Sequence, residues 1–193
     1  GLPACAKPLT YSAEPIEAWV IDAATKKPLE GVVVTANWQL VEGTLGGSRP
    51  IGQLKVMEAV TDKNGRFAFP AWGPIEVTKG HLVSEDPQLL LFKSGYQYQR
   101  LSNQYTSDRE LRLRPIRRSD WNGKTVQMKR FTGTPEEWFK MLERSIPSFG
   151  RREDYKESML LKAILAEEKS IPDSIEDKRL FFDNIVRRLL EGR

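Results

Sequence analysis

The sequence predicts a mainly β protein with α-helices at its C-terminal end, arranged as a β-sandwich followed by a helical segment. Between Ile16 and Phe131, short runs rich in valine, isoleucine and aromatic side chains alternate with glycine, proline, asparagine or aspartate, which indicates strands and turns. After Phe131, apolar side chains recur every three to four residues, as in amphipathic helices. A chain of 193 residues has room for one well-cored domain with an appendage. We expect roughly seven or eight strands, the number that a small sandwich needs.

The first strands are predicted from the alternation of their side chains. The segment IEAWVID places Ile16, Ala18 and Val20 on one face of a strand. The segment GVVVTANWQL is almost wholly apolar, which is typical of a strand covered on both sides. Between them, AATKKPLEG is polar and predicts a turn.

The strongest turn signal is Asn64-Gly65. Both residue types accept the positive φ that a type I′ turn requires, so we predict a hairpin between LKVMEAVTD and RFAFPAW. The segment GTLGGSRPIGQ contains no Gly-Lys-Ser/Thr that leads into a helix, so it is predicted to be a flexible loop and not a phosphate cradle. Further strands are expected in QLLLFKSGYQYQRLS, RELRLRPI and TVQMKRF.

The first helix is predicted from its capping residues. Thr134 occupies the N-cap, Pro135 the first helical position and Glu137 the third, which is the pattern of a capping box. Two more amphipathic helices are predicted in EDYKESMLLKAILAEE and DSIEDKRLFFDNIVRRLLEG. Their expected apolar stripes are Tyr155, Met159, Leu160, Ala163 and Ile164 in the first and Phe181, Phe182, Ile185, Val186 and Leu189 in the second. We expect the helices to pack on the sandwich because their aromatic side chains would otherwise be exposed.

Four segments of the β region occur in an order that matches a known family. They are Val20-Ile21-Asp22, Pro28-Leu29-Glu30-Gly31, Thr61-Asp62-Lys63-Asn64-Gly65-Arg66-Phe67 and Gly95-Tyr96. With these segments the chain resembles the carboxypeptidase regulatory-like domain, a transthyretin-like Greek-key β-sandwich. The resemblance implies a non-catalytic accessory module of a kind common in secreted and envelope proteins. The expected division is an N-terminal tether over residues 1–14, the sandwich over 15–131 and the helical segment over 132–193.

The residues of catalysis are scarce in this sequence. His81 is the only histidine and Cys5 the only cysteine, so we expect no metal site and no cofactor. The nucleophile elbow Gly-x-Ser-x-Gly does not occur, and we predict that the protein is not an enzyme. The alternative is a hydrolase with a site under the long loops, in which His81 works with Glu85 or Asp86. A net charge of +4 is modest for binding through phosphates, so we expect no nucleic-acid partner.

Aromatic side chains are the better candidates for ligand binding. Tyr96, Tyr98 and Arg100 are expected on one face of their strand, and Trp72 lies where a hairpin meets a long insertion. Planar rings at the edge of a sandwich can stack on sugars or anchor a protein, so the expected partner is an envelope polysaccharide or an envelope protein. Burial of these rings in the core is the alternative. The alternation of Arg112 and Arg114 with Leu111 and Leu113 in RELRLRPIRR favours a solvated strand face, and an anion site is the alternative.

The N-terminal segment Leu2-Pro3-Ala4-Cys5 resembles a bacterial lipobox. The resemblance implies lipidation of Cys5 and places the protein in the periplasm, anchored to the outer membrane because Ala6 and not aspartate follows the cysteine. Cleavage after Ala4-Cys5-Ala6, which is an A-x-A site, is one alternative. An N-terminal tail in which Cys5 has no role is the other.

Overall fold

The computed structural model describes residues 8–107, 114–149 and 152–193 and has the predicted fold class, mainly β with C-terminal helices. Cys5 and the leucines of RELRLRPIRR lie outside these residues. The strands are β1 (Leu9–Ala13), β2 (Ile16–Asp22), β3 (Val33–Thr44), β4 (Gly47–Val60), β5 (Arg66–Phe69), β6 (Trp72–Val77), β7 (His81–Leu82), β8 (Gln88–Phe92), β9 (Gln99–Leu101), β10 (Ile116–Arg117) and β11 (Thr125–Met128). The helices are α1 (Pro135–Ser145), α2 (Met159–Ala166) and α3 (Arg187–Leu190), and the π-helix Leu180–Val186 leads directly into α3.

The strands form two layers around one core. The larger sheet has the order β4-β3-β8-β9, and β7 also pairs with β3. Two three-stranded sheets, β10-β1-β6 and β11-β2-β5, supply the other layer. Side chains from both layers meet in one apolar cluster, which includes Val20 of β2, Phe67 of β5, Val34 of β3 and Leu91 of β8. The β-sandwich is thereby confirmed.

Strand β3 is buried on both faces, as its apolar sequence predicted. Val34, Ala36 and Trp38 point into the sandwich core. Val33, one residue out of phase, joins a second apolar cluster on the outer face of the same sheet. Because successive side chains of a strand point to opposite faces, β3 separates the two cores.

The helices cover the outer face of the larger sheet. Leu90 and Phe92 of β8 pack in the second cluster with Trp138 of α1, and the rings of Phe92 and Trp138 lie with centroids 6.3 Å apart. The last helical segment joins the same cluster through Phe182, which is fully buried. The molecule therefore has three layers, with the larger sheet in the middle.

Helix α1 begins with the predicted capping box. The Oγ1 atom of Thr134 accepts a hydrogen bond from the N–H of Glu137 at 3.2 Å, and the Glu137 carboxylate accepts one from the N–H of Thr134 at 2.7 Å. Both bonds satisfy amide donors that a free helix end leaves without partners. The buried side chains of α1 include Trp138 and Leu142.

The second and third helices differ from the prediction. Tyr155 lies in a separate 3-10 turn, Arg152–Tyr155, and α2 begins only at Met159, whose side chain is 38% exposed. The helix begins there because Ser158 caps it, accepting a hydrogen bond from Leu161 N–H at 3.2 Å. Ile185 is also exposed, since the wider turn of the π-helix shifts the apolar face away from the expected 3.6-residue period.

The N-terminal tether predicted over residues 1–14 is corrected from Leu9 onward. Leu9–Ala13 forms β1, which pairs antiparallel with β6 and parallel with β10. Tyr11 and Ala13 are buried in the sandwich core. No local sequence pattern indicates this strand, because its partners β6 and β10 lie far away in the sequence.

The predicted β4-β5 hairpin is also corrected. Gly65 has a φ of +73°, but Asn64 is not at positive φ, so the turn is not of type I′. The Gly65 N–H donates to the Asp62 carbonyl at 2.8 Å, and after this turn β5 pairs with β2 and not with β4. The turn thus carries the chain from one layer of the sandwich to the other.

The segment GTLGGSRPIGQ was predicted to be a flexible loop, and this is wrong. Strands β3 and β4 continue through it as a long hairpin, with Thr44 paired to Gly47 at the tip. Glu42 of β3 forms ion pairs with Arg49 and Lys79 along this arm. The regular pairing explains why a glycine-rich segment is nevertheless extended.

Candidate functional site

The structure places Trp72 inside the sandwich core. It is only 8% exposed, and its ring meets that of Trp38 edge to face with centroids 5.3 Å apart. Such a pair contributes to packing between the layers. The expectation that Trp72 offers its ring to a ligand is therefore replaced by a structural role.

Tyr96 is likewise a core residue. It is 7% exposed, and its hydroxyl donates to Oδ2 of Asp22 at 2.8 Å. Asp22 also accepts hydrogen bonds from the N–H groups of Ala24 and Thr25 and from Nε of Arg130. These donors, led by the N–H of Thr25, hold the pKa of the Asp22 carboxyl well below its usual range. The hydrogen bonds of Asp22 join β2 to the segment after β8, and the buried carboxylate is not accessible to a ligand.

Tyr96 and Tyr98 do not share a face, contrary to the prediction. Tyr96 belongs to the sandwich core, whereas Tyr98 packs against the second apolar cluster, between the larger sheet and the helices. The regular strand β9 begins only at Gln99, so the alternation of a strand does not extend back to Tyr96. Arg100 lies in β9, opposite Leu90, and its side chain is exposed.

Tyr98 does line a cavity, between the end of the larger sheet and α1. The Tyr98 N–H lies 3.4 Å from Sδ of Met141, and burial raises the pKa of the Tyr98 hydroxyl. The cavity measures about 640 Å³. Its lining, here called the α1 cleft, consists of Gln97, Tyr98, Phe131, Glu137, Lys140, Met141 and Arg144.

The α1 cleft combines apolar and charged groups. The ring of Phe131 meets that of Trp138 edge to face at 5.0 Å, which fixes one wall to the core under the helices. Lys140 and Arg144 follow one another by one helical turn on the exposed side of α1. Rings and a thioether can bury an apolar surface there, while the two cations attract carboxylate or hydroxyl oxygens.

A second cavity lies at the edge of the sandwich between the strands β7, β9 and β10. It measures about 510 Å³. Its described lining, here called the edge cleft, consists of Ser84, Asn103, Gln104, Tyr105, Thr106, Arg114, Ile116, Arg117, Arg118 and Asp120. The sequence pointed to the arginine-rich segment that contains Arg114 and favoured a solvated strand face there over an anion site. The lining residues outside this segment carry no sequence signal, because they meet only after the chain has folded.

Buried charges lie behind the edge cleft. Asp86 is buried, and loss of hydration raises the pKa of its carboxyl to about 7, although the positive charge of Arg117 acts in the opposite direction. Burial likewise lowers the pKa of the Arg117 guanidinium. That guanidinium donates to the carbonyl oxygens of Val83 and Arg114, which fixes its position.

His81 lies in β7, opposite Val41 of β3, and is half-buried. Within the described ranges it forms no hydrogen bond to Glu85 or Asp86. Asp86 instead accepts from the N–H of Val83 at 3.3 Å, and Glu85 from the hydroxyl of Ser84 at 2.8 Å. In the described residues these carboxylates thus bond to other groups, whereas the hydrolase alternative pairs one of them with His81.

The described residues contain neither a cluster of metal ligands nor a membrane-spanning helix. Among residues 8–107, 114–149 and 152–193, no three histidine, cysteine, aspartate or glutamate side chains are placed to hold a metal ion. In the same residues no helix combines the length and the apolar character needed to cross a membrane.

No protein-family model matches the chain, and no curated protein does. Among solved structures, the chain is similar to 3-chlorocatechol 1,2-dioxygenase from Rhodococcus opacus 1CP, with 15% identity, a TM-score of 0.37 and coverage of 65% of this chain and 62% of that one. A streptococcal ancillary pilin has 12% identity and a TM-score of 0.30, with coverage of 66% and 31%. The group B streptococcus pilus 2b backbone protein has 16% identity and a TM-score of 0.30, with coverage of 62% and 42%. The chain thus spans less than two thirds of each of these proteins, and its kinship with the carboxypeptidase regulatory-like domain stays a prediction.

Proposed function

We propose that this chain is a non-catalytic binding module of the bacterial cell envelope and that the α1 cleft holds its ligand, an envelope protein or polysaccharide. The observation that carries the proposal is the composition of this cleft. Two aromatic rings and a thioether lie with charged side chains in one cavity of about 640 Å³. Binding surfaces are enriched in aromatic residues, methionine and arginine, and cavities of this size bind ligands in many proteins.

The charges around the α1 cleft favour a partner with acidic or hydroxyl groups. One carboxylate oxygen of Glu137 is engaged by the N–H of Thr134 in the capping box. Lys140 and Arg144 are exposed on the rim, where each can donate to a bound oxygen. A partner with carboxylates or hydroxyls beside an apolar surface would match both parts of the cleft.

Location in the envelope rests on the N-terminal sequence. Leu2-Pro3-Ala4-Cys5 resembles a lipobox, so we propose that Cys5 carries a lipid and holds the module at the periplasmic face of the outer membrane. Mass spectrometry of protein taken from membranes should then find an acylated Cys5. Cys5→Ser should move the protein to the soluble fraction, and an unmodified Cys5 in membrane-derived protein would contradict the anchor.

The binding site can be tested in the cell by crosslinking. A photoreactive amino acid placed at Lys140, on the rim of the α1 cleft, should give a discrete adduct in intact cells. The matched control is the same amino acid at Lys63, an exposed residue in the turn before Gly65. Equal adduct patterns from both positions, or none from Lys140, would contradict the proposal.

Of the two ligand classes in this proposal, a polysaccharide is favoured by the rings of Tyr98 and Phe131. Sugar rings stack on exposed aromatic faces. Trp138 lies 5.0 Å from Phe131 between ring centroids, so its fluorescence should respond when a glycan enters the cleft. Cell-wall and storage glycans that leave the emission unchanged would count against this ligand class.

The hydrolase alternative is distinguished by a variant that spares the α1 cleft. His81→Ala combined with Glu85→Gln removes groups that could act as acid or base and leaves the buried Asp86 in place. The proposal predicts that the Lys140 adduct forms as before in this variant. Loss of a measurable turnover with the same changes would instead support an enzyme.

A further inference from the structure

We propose that the edge cleft binds an anionic saccharide, that is, a sugar that carries a carboxylate. This site is separate from the α1 cleft and does not depend on the function proposed for it. The inference rests on three features: walls that are fixed by hydrogen bonds, an excess of arginine over acidic side chains, and an exposed aromatic ring beside the cations.

The walls of the edge cleft are fixed by one asparagine. Nδ2 of Asn103 donates to the carbonyl of Asp86 at 3.0 Å and to that of Arg118 at 2.7 Å. Its Oδ1 accepts the N–H of Asp120 at 2.8 Å. Three segments that lie far apart in sequence are thereby joined around the cavity. A preorganised site loses less entropy when a ligand binds.

The charge of the described lining is positive. Arg114, Arg117 and Arg118 line the cleft, and Asp120 is the acidic residue among its described lining residues. One carboxylate oxygen of Asp120 already accepts the N–H of Gln104 at 2.8 Å. Arg117 lies close to the charges of Asp86 and Glu85, and Arg118 pairs with Glu14, so the exposed Arg114 is the arginine that we assign to an incoming anion. Its guanidinium presents donors in a planar fork that fits a carboxylate.

The arginines differ in their role. Arg117 is 4% exposed, and its guanidinium is fixed by backbone carbonyls at the back of the cleft. Arg114 is exposed at the mouth, and Arg118, also exposed, forms an ion pair with Glu14 at 2.8 Å. Arg114 can therefore turn to an incoming anion without breaking a core contact.

A ring-shaped ligand is indicated by the surface beside the arginines. Tyr105 is 64% exposed and Ile116 is 52% exposed, so both offer apolar area at the mouth of the cleft. Gln104 also lines the cleft, and its side-chain amide can bond to hydroxyl groups. An aromatic face with adjacent amides and cations suits a sugar with an acidic group.

The test is a titration of the isotope-labelled protein, followed by NMR, with galacturonate, galactose and inorganic phosphate as probes. Galacturonate should shift the signals of Asn103, Gln104 and Tyr105 at concentrations where galactose does not. Arg114→Gln should weaken binding at least about tenfold, because it removes a charged donor. Added salt should weaken it as well, since the mouth of the cleft is exposed.

Two further variants test the site apart from any general effect of charge or folding. Tyr105→Ala removes the exposed ring and should also weaken galacturonate binding, whereas Lys63→Gln removes an exposed charge outside both clefts and should leave binding unchanged. No shift with galacturonate, or equal shifts with galactose, would overturn the proposal. Phosphate that binds as well as galacturonate would overturn the saccharide assignment.

Discussion

Glu58 of β4 accepts a hydrogen bond from the backbone N–H of Met159, the first residue of α2, at 2.7 Å. The same carboxylate accepts the N–H of Leu160 at 3.0 Å and the hydroxyl of Thr35 at 2.9 Å. One side chain of the sheet thus supplies an anion to the N-terminal end of a helix, where backbone donors and the helix dipole favour negative charge. This contact joins the helical layer to the sandwich.

The first prediction concerns this contact. Glu58→Ala should lower the free energy of unfolding by about 1–3 kcal/mol, because it leaves helix donors and the Thr35 hydroxyl without their acceptor. Glu58→Gln should lower it less, since an uncharged oxygen can still accept. Chemical denaturation gives both values. Glu30→Ala, an exposed change, is the control, and a Glu58→Ala midpoint equal to that of this control would refute the role.

The second prediction compares two glycines of similar backbone conformation. Gly65 and Gly95 have φ values of +73° and +80°. A Cβ at Gly65 would lie 2.3 Å from the carbonyl oxygen of Val20, whereas one at Gly95 would meet nothing within 4 Å. Gly95→Ala should therefore lower stability by about 1–2 kcal/mol through φ alone, and Gly65→Ala by more. Equal denaturation midpoints for the two variants would show that the close contact between a Cβ at position 65 and the Val20 carbonyl costs no stability.

The third prediction is a loss of stability in acid that depends on Asp22. Its hydrogen bonds lower the pKa of the carboxyl in the folded protein. The folded state therefore releases this proton more readily than the unfolded chain, so the contribution to stability is present above the unfolded pKa of about 3.9 and is lost as the pH falls below it. Asp22→Asn should flatten this part of the stability curve, and Tyr96→Phe should reduce its slope. If Asp22→Asn loses stability in acid as steeply as the unaltered protein does, Asp22 is not the group responsible.

The fourth prediction has the opposite sign and concerns Asp86. Burial raises the pKa of its carboxyl to about 7 in the folded protein. The folded state binds this proton more tightly than the unfolded chain, so its contribution is complete below about pH 4 and is lost as the pH rises towards 7. Asp86→Asn keeps the shape of the group and should remove this dependence. The measurement is the denaturation midpoint between pH 4 and pH 8, and equal slopes for the two proteins would refute it.

Local patterns in the sequence predicted the parts of the fold that depend on neighbouring residues. Strand β2 shows the expected alternation, with Ile16, Ala18 and Val20 buried. The capping box at Thr134 and Glu137 was predicted correctly because both partners lie within one helical turn.

Pairing between distant segments was not predictable in the same way. Strand β1 is short and half polar, and Tyr11 finds its partner Ile75 more than sixty residues later. The turn before Gly65 has the sequence of a hairpin, yet β5 pairs with β2, because burial of Phe67 and Phe69 between the layers outweighs local turn preference. Local sequence specifies the turn, and long-range packing selects the strand partner.

The residues of the α1 cleft were likewise predictable only in part, because distant segments form it. Tyr98 was singled out from the sequence and lines the α1 cleft, whereas Tyr96 and Trp72 share its aromatic character but are buried. Phe131, Lys140 and Arg144 were missed as site residues, because only the docking of α1 on the sheet brings them to Tyr98. Lys140 and Arg144 lie one helical turn apart, and this spacing was the sequence feature that could have indicated them as site residues.

Oxidative footprinting of two methionines shows whether the α1 cleft is the binding site. Met141 lines the cleft, and Met159, at the start of α2, lies outside it and is exposed. Hydroxyl radicals are applied to intact cells and to the purified protein, and the oxidation of each methionine is measured by mass spectrometry. If the α1 cleft holds the ligand, Met141 is protected in cells relative to the purified protein while Met159 is not. Equal oxidation of Met141 in both preparations, or equal protection of both methionines, would contradict it.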